Sequence, residues 1–356
     1  MLRRLLLGAL FLSSLAVSFA WGVLAGRDET FPFHELRSLY HAVSDKPAGR
    51  WRPAPDAAAP SPDDETRSAL LALPYLQGYE PAPQSQNVIR YEKDRSYSGL
   101  NLYVSGHAAE AILMDMHGKE LHKWSLPYEK VWQDDNPSTG AKYWRRAHAL
   151  PNGDLLAIFE GIGLVKLDKG SRLLWSYRGG CHHDLWVDDA GEISVLTRQS
   201  RVVPRINPQR PVVEDFVTRL SPDGEALRSF SLLRAFEDSP YSAILDRVNR
   251  KKAGDIFHTN TIEVLDGSLA DRAPAFRKGN ILVSILYLDA IAVIDPGTEK
   301  VVWALSGMWR RQHQPTVLGN GHMLLFDNLG HGGRSRVLEL DPFTQRLFWR
   351  YGEAPG

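Results

Sequence analysis

A unit of four short apolar segments, opened by a histidine, is repeated along this chain. Its clearest copy runs from residue 258 to residue 306, with apolar segments at 262–265, 281–286, 291–294 and 301–305. Asp295-Pro296-Gly297 separates the last two segments, because proline presets φ and glycine accepts positive φ. Short apolar runs bounded by turn residues are typical of strands, so the unit predicts a four-stranded antiparallel meander.

The same order of elements returns before and after that copy. A histidine opens the segment HQPTVLGNGHMLLFDN at residue 313, and related segments begin near residues 101, 148 and 182. Five copies are visible, and repetition of one four-stranded unit predicts an all-β fold, a β-propeller. Tryptophans recur at the ends of the copies, and we predict that they pack between blades: Trp124, Trp175, Trp303 and Trp349.

The innermost strand of each propeller blade lines the central channel, so equivalent positions of the copies point to one axis. Counting back eight residues from the turn glycine of three copies gives Arg145, His183 and His313, and His258 opens the fourth. We therefore expect these four side chains to converge, where they would bind a ligand or take part in catalysis. The alternative is that the histidines are structural residues repeated with the fold.

Metal and thiol chemistry are the other roles that these residue types suggest. Three histidines suit zinc, but on different blades their separations exceed what one ion with bonds of about 2.1 Å bridges. We therefore predict no metal site. Cys181 is the only cysteine, so no intrachain disulfide is possible. We predict that Cys181, although it precedes His182 and His183, is a packed free thiol.

The N-terminus predicts a membrane segment. Arg3 and Arg4 precede the 21 residues 5–25, which carry no charge. That length spans a bilayer as a helix, so we predict 1–26 as an uncleaved anchor, with the rest facing the periplasm or the cell exterior. A cleaved signal peptide ending at Val23-Leu24-Ala25 is the alternative. Residues 27–86 are predicted to form a helix and a Pro/Ala-rich linker, and 87–356 the propeller.

Charge and one interruption of the repeat bear on partners. Basic and acidic residues are equal in number, 42 each, which argues against nucleic acid and favours a small molecule or a protein. Residues 232–256 interrupt the repeat with helical periodicity, and we expect them either to roof the channel mouth or to form a solvated excursion. Five copies leave open whether the ring closes or lacks its last blade.

The sequence resembles the bacterial arylsulfate sulfotransferases, which need no nucleotide sulfate donor. The matching pieces are HHDLWVDDAGEISVLTR, DIFHTNTIEVLDG with KGNILVS, IAVIDPGTEKVVWALSG, and RRQHQPTVLGNGHMLLFDN with RSRVLELDP. Together they cover roughly residues 88–352. The resemblance implies a six-bladed propeller exported from the cytoplasm. It also implies transfer of a sulfuryl group from an aryl sulfate to a phenol through a sulfated histidine, without a cofactor.

Carried over by position, the resemblance assigns roles to three histidines. His313, in RRQHQPTVL, matches the nucleophile. His258, in DIFHTN, matches a partner that binds the sulfuryl oxygens or handles the phenolic proton, and His183, in HHDL, matches another partner. An imidazole nucleophile would split the transfer into two steps with ping-pong kinetics.

One position departs from the family pattern. An arginine is expected in the strand after the GN turn, but Leu286 stands there. Loss of a charge at a developing oxyanion costs about a hundredfold or more in rate. The working hypothesis is that Arg145 supplies the charge from another blade. Two alternatives remain: a membrane-tethered propeller that binds a ligand or protein without turnover, and a quinone-dependent dehydrogenase, which the lack of a repeated tryptophan-docking pattern disfavours.

Overall fold

The computed structural model describes residues 87–133, 142–249, 254–330 and 333–352. It confirms the predicted β-propeller: strands follow one another as antiparallel meanders, one per blade. The first blade holds β1 (Asn101–Val104), β2 (Glu110–Met114) and β3 (Glu120–Ser125), and the second holds β4 (Trp144–Ala149), β5 (Leu155–Phe159), β6 (Gly163–Leu167) and β7 (Leu173–Tyr177).

The third blade is the largest. It contains β8 (Cys181–Val187), β9 (Ile193–Val203), β10 (Asn207–Leu220) and β11 (Ala226–Ser231), with the short β12 (Gly254–Asp255) parallel to β10. The fourth blade holds β13 (Thr259–Val264), β14 (Ile281–Ile285), β15 (Ala290–Asp295) and β16 (Lys300–Ser306), and the fifth holds β17 (His313–Val317), β18 (Met323–Asp327), β19 (Arg336–Leu340) and β20 (Leu347–Tyr351).

The fourth blade is the meander predicted for residues 258–306. Neighbouring residues of its strands turn to opposite faces, as the two-residue period of a strand requires. Val283 packs in a cluster shared with the third blade, whereas Leu282 packs in a cluster shared with the fifth. Both faces of the blade are therefore buried, which explains its nearly uninterrupted apolar segments.

Three of the four repeated tryptophans pack between blades, as predicted. Trp124 Nε1 donates to the carbonyl oxygen of Gly153 at 3.2 Å, and Trp175 Nε1 donates to that of Pro222 at 3.1 Å, in each case in a turn of the following blade. Trp303 packs against the cluster that the fourth and fifth blades share. The prediction is wrong for Trp349, which is 49% exposed because it lies on the face of β20 that no other described blade covers.

The helical interruption at 232–256 belongs to the core. Helix α1 (Leu232–Glu237) follows β11 directly, and Ser231 Oγ caps it by accepting from Arg234 N at 3.1 Å. Leu232, Leu233 and Phe236 are fully buried in the cluster between the third and fourth blades. For α1, both expectations, a roof over the channel and a solvated excursion, are therefore wrong, since its apolar face packs beside the outer strands.

The predicted segments 1–26 and 27–86 lie outside the described residues. Within the described ranges, no helix has the length and apolar character that crossing a membrane requires.

Candidate active site

The innermost strands of four blades each begin with an irregularity in register. Each first hairpin pairs regularly near its turn and shifts at the start of the inner strand, which is a β-bulge. A bulge turns a side chain away from the regular alternation of the strand. In each hairpin we count back four residues along the inner strand from the residue pair nearest the turn. This position holds Arg145, His183, Asn260 and His313 in the four blades.

His258 is therefore not in step with the other two histidines. Asn260 occupies the matching position, and His258 lies two residues before it. A tight turn nevertheless carries the imidazole inward: Asp255 Oδ1 accepts from the backbone N–H of Phe257 at 3.2 Å and of His258 at 2.7 Å. His258 has φ of 53°, a left-handed conformation that is uncommon for a residue with a side chain.

The structure brings His183 and His258 together, with ring centroids 4.8 Å apart. Burial, followed by the charges of His258 and Arg145, holds the pKa of His183 well below its usual value. Burial also lowers the pKa of His313, and His258 and Arg145 add to that effect. Arg145, His183, His258 and His313 thus lie within electrostatic reach of one another, and His183 and His313 are neutral at pH 7.

The proton on His313 has a defined place. His313 Nδ1 lies 2.7 Å from Asn328 Oδ1 and 3.2 Å from the carbonyl oxygen of Arg311. A carbonyl oxygen only accepts, so Nδ1 carries the hydrogen and Nε2 keeps its lone pair. This is the tautomer that a nucleophilic imidazole needs.

His258 is oriented by a carboxylate. Its Nδ1 lies 2.8 Å from Asp255 Oδ2, so the carboxylate fixes the orientation of the imidazole ring. A second buried carboxyl, Asp215, accepts from the backbone N–H of Thr259 at 2.8 Å. Burial and the nearby charge of Asp255 raise the pKa of Asp215 to about 8. Asp215 therefore holds a proton at pH 7.

Three residues of the site escaped prediction although the repeat contains a signal for them. In each blade, the second strand begins with the residue that is paired nearest the first turn. Five residues after it lie Glu160, Arg198 and Asn328 in the second, third and fifth blades. Leu286 occupies the same step of the fourth blade. Counting from the second strand as well as from the turn would have singled out all four positions.

Arg198 and Glu160 form a buried ion pair beside His183. Arg198 Nη1 lies 3.5 Å from Glu160 Oε1, and both side chains are 1% exposed. Glu160 Oε2 accepts from the backbone N–H of His183 at 3.1 Å. Gly161 gives the guanidinium room, because a Cβ at that residue would lie 2.2 Å from Arg198 Nη2.

Glu160, His182 and His183 also present three possible metal-ligand atoms within 4.8 Å of one another. His182 Nδ1 lies 3.0 Å from His183 Nδ1. The guanidinium of Arg198 beside Glu160 opposes a cation at this place, since like charges in a buried site repel strongly.

Nearby Cys181 is fully buried, and burial raises the pKa of its thiol. Cys181 is thus packed and protonated, as predicted.

Leu286 is 8% exposed and lies in a turn between β14 and β15. Its backbone N–H donates to the carbonyl oxygen of His258 at 3.3 Å, so the residue at this step does lie next to the histidines. Tyr287 follows, with its ring centroid 5.3 Å from that of His258. Arg311 places its Cζ 4.7 Å from the centroid of the Tyr287 ring.

Beyond the histidines, the same inner strands line a cavity of about 320 Å³. Asp184 faces it and joins three blades: it lies 3.0 Å from Arg146 Nε and accepts from the backbone N–H of Ile262 at 3.2 Å. Burial raises the pKa of Asp184 to about 6 and that of Glu263, across the cavity, to about 7. Glu263 therefore carries only part of its negative charge at neutral pH, whereas Asp184 stays mostly ionised.

Solved structures similar to this chain include further propellers, at low identity. Streptogramin B lyase is 14% identical, over 73% of this chain and 66% of that one, with a TM-score of 0.42. The β-propeller domain of Cps50 (Swd1) from Myceliophteria thermophila is 10% identical, over 71% and 68%, with a TM-score of 0.41. BamB from Moraxella catarrhalis is 10% identical, over 72% and 62%, with a TM-score of 0.35. No curated protein matches the chain.

A family model described as arylsulfotransferase (ASST) matches residues 146–348, which is more than half of the chain. The match begins in β4 and ends in β20, so it spans the second to the fifth blade. It includes His183, His258 and His313, and begins one residue after Arg145. The chain belongs to the arylsulfotransferase (ASST) family.

Proposed function

We propose that this protein transfers a sulfuryl group from an aryl sulfate ester to a phenol through a sulfated His313. Family membership supports an aryl-sulfotransferase-like activity. The observation that carries the histidine mechanism is the fixed tautomer of His313, whose Nδ1 lies against two oxygen atoms while burial keeps the ring neutral.

In the first half-reaction, His313 Nε2 attacks sulfur, the S–N bond forms and the S–O bond to the aryl group breaks. The imidazole bears positive charge as the bond forms, and the Nδ1–H shared with Asn328 and Arg311 spreads that charge. The phenolate leaves with the electron pair. A leaving group of low pKa departs unaided, whereas one of high pKa takes a proton from His258.

The negative sulfuryl oxygens need a cation, which we assign to Arg145. Its charge acts on both His183 and His313, so it lies near the place where the oxygens would sit. Arg145 forms no ion pair with another described residue, and its side chain is half-buried. The positive charge is therefore available to a ligand, and removing such a charge costs about a hundredfold or more in rate.

In the second half-reaction, a phenol displaces His313 from sulfur. His258, with its Nδ1 held by Asp255, accepts the phenolic proton at Nε2 as the new O–S bond forms. Two steps through one covalent intermediate give ping-pong kinetics.

Intact-mass spectrometry after incubation with 4-nitrophenyl sulfate tests the proposal. After a brief incubation the parent protein should gain about 80 Da and release nitrophenolate, and a phenol added at once should remove the mass. His313→Ala should gain nothing. His322→Ala is the matched control, because His322 lies in the same hairpin, at its turn, where it bonds to Glu339, and should leave the adduct intact.

Leu286 favours a second candidate, a propeller that binds a ligand or protein without turnover. It places an apolar side chain where the resemblance expects a cation. A folded parent protein that gains no mass and releases no phenolate would support that candidate and overturn the first. Attachment to a membrane outside the cytoplasm stays a prediction from residues 1–25 in either case.

A further inference from the structure

A phenol belonging to the protein itself lies beside the proposed acceptor base. Tyr287 is half-buried in the turn after β14, with its ring 5.3 Å from that of His258. Arg311, two residues before the proposed nucleophile, also contacts Tyr287: its Cζ lies 4.7 Å from the centroid of the Tyr287 ring. The carbonyl oxygen of Arg311 also lies 3.2 Å from His313 Nδ1, so Arg311 contacts both Tyr287 and the proposed nucleophile.

The surroundings of Tyr287 suit an acceptor that reacts slowly. Burial, followed by the charge of Asp255, raises the pKa of its hydroxyl, while Arg311 opposes that shift through its charge and a side-chain hydrogen bond. The hydroxyl is therefore protonated at neutral pH and needs a base before it can attack sulfur. His258, held by Asp255, is the neighbouring base.

We propose that Tyr287 is a self-modification site, and that its hydroxyl oxygen takes the sulfuryl group from His313 when no free phenol is present. This inference rests on the proposed function. The S–N bond to His313 Nε2 breaks, its electron pair returns to the imidazole, and the O–S bond to Tyr287 forms. The phenolic proton passes to His258 Nε2, so atoms and charge balance. Arg311 then pairs with the sulfate monoanion.

The modified tyrosine should persist. Returning the group to His313 would require a tyrosinate leaving group, whose parent pKa of about 10 makes it a far poorer leaving group than nitrophenolate. The Tyr287 sulfate ester therefore accumulates, whereas the sulfated histidine is discharged by any added phenol. A negative group held beside His258 and Arg311 would also slow further turnover.

Tryptic peptides separate the two sites. Cleavage at Lys278 and Lys300 releases residues 279–300, in which Tyr287 is the only tyrosine and no histidine occurs. Cleavage at Arg311 and Arg334 releases residues 312–334, which contain His313. After hours with 4-nitrophenyl sulfate and no acceptor, both peptides should carry about 80 Da. A chase with phenol should clear 312–334 and leave 279–300 labelled.

Three variants decide the route. Tyr287→Phe should lose the label on 279–300 and keep it on 312–334, whereas Tyr241→Phe, a control at another partly buried tyrosine, should keep both. His313→Ala should lose both. Label on 279–300 in His313→Ala, or its persistence in Tyr287→Phe, overturns the inference. Label confined to 312–334 overturns it as well and leaves the proposed function standing, and no label on either peptide of the folded parent overturns the proposed function itself.

Discussion

Replacing Asp255 by asparagine should separate the two half-reactions. Asp255 accepts from the backbone N–H groups of Phe257 and His258 through Oδ1 and faces His258 Nδ1 through Oδ2. Asparagine can keep the backbone bonds with its oxygen, but its NH₂ group then faces Nδ1. Two donors cannot share that bond, so the imidazole shifts its hydrogen to Nε2, where a base is needed.

The size of the effect follows from the bond that is lost. A hydrogen bond to a charged group contributes about 1.5–3 kcal/mol, which corresponds to roughly 10- to 150-fold in rate when it acts in the transition state. The turn itself should survive, because the two backbone bonds hold the positive φ of His258. Folding is checked by an unchanged denaturation midpoint.

Stopped-flow release of phenolate reads the first half-reaction, and discharge of the adduct by phenol reads the second. With 4-nitrophenyl sulfate, whose leaving group needs no proton, Asp255→Asn should keep the burst and slow the discharge by about 10²-fold. With unsubstituted phenyl sulfate the burst should slow too. Asp188→Asn, in an exposed turn of the third blade, should change neither. Equal slowing of burst and discharge with the nitrophenyl ester would refute the assignment of His258 as the acceptor base.

Two further predictions concern stability. The pKa of Asp215 rises from 3.8 to about 8 on folding, so the folded state holds a proton that the unfolded state has released. The free energy of unfolding should therefore fall as pH rises from about 4 to 8, by up to about 1.4 kcal/mol per pH unit. In urea denaturations across that range, Asp215→Asn should remove this dependence on pH. Gly161→Ala should destabilise the fold by more than Gly279→Ala: both residues have positive φ, which costs about 1–2 kcal/mol for alanine, but only at Gly161 does the new Cβ meet a buried guanidinium. Equal losses would show that Arg198 moves aside freely.

The fold followed from the sequence because a propeller repeats one local pattern. Each blade is a meander whose strands pair with their neighbours in the chain, so turn residues and apolar runs define it without long-range information. Burial on both faces explains why the strands of the fourth blade are apolar throughout. The pattern did not predict that Phe236 of α1 packs into the core, and it wrongly predicted that Trp349, which is exposed, packs between blades.

The site followed only in part, since counting from a turn finds a residue but not its neighbours in space. Arg145, His183 and His313 share one step of the repeat, whereas His258 reaches the cluster through a turn held by Asp255. The tautomer of His313 depends on Asn328, which comes from the adjacent strand. Such contacts depend on bulges and backbone hydrogen bonds, which a single sequence does not record.

The functional chemistry arises where the repeat is broken rather than where it is kept. One step of the second strand carries glutamate, arginine, leucine and asparagine in successive blades: Glu160, Arg198, Leu286 and Asn328. A ring with the same residue at every blade would present one charge from all sides and could not tell a nucleophile from a base. Here the acid and the cation cancel beside His183, the amide fixes His313, and the leucine leaves His258 next to a phenol. That asymmetry gives three similar histidines different surroundings, as the different roles proposed for them require.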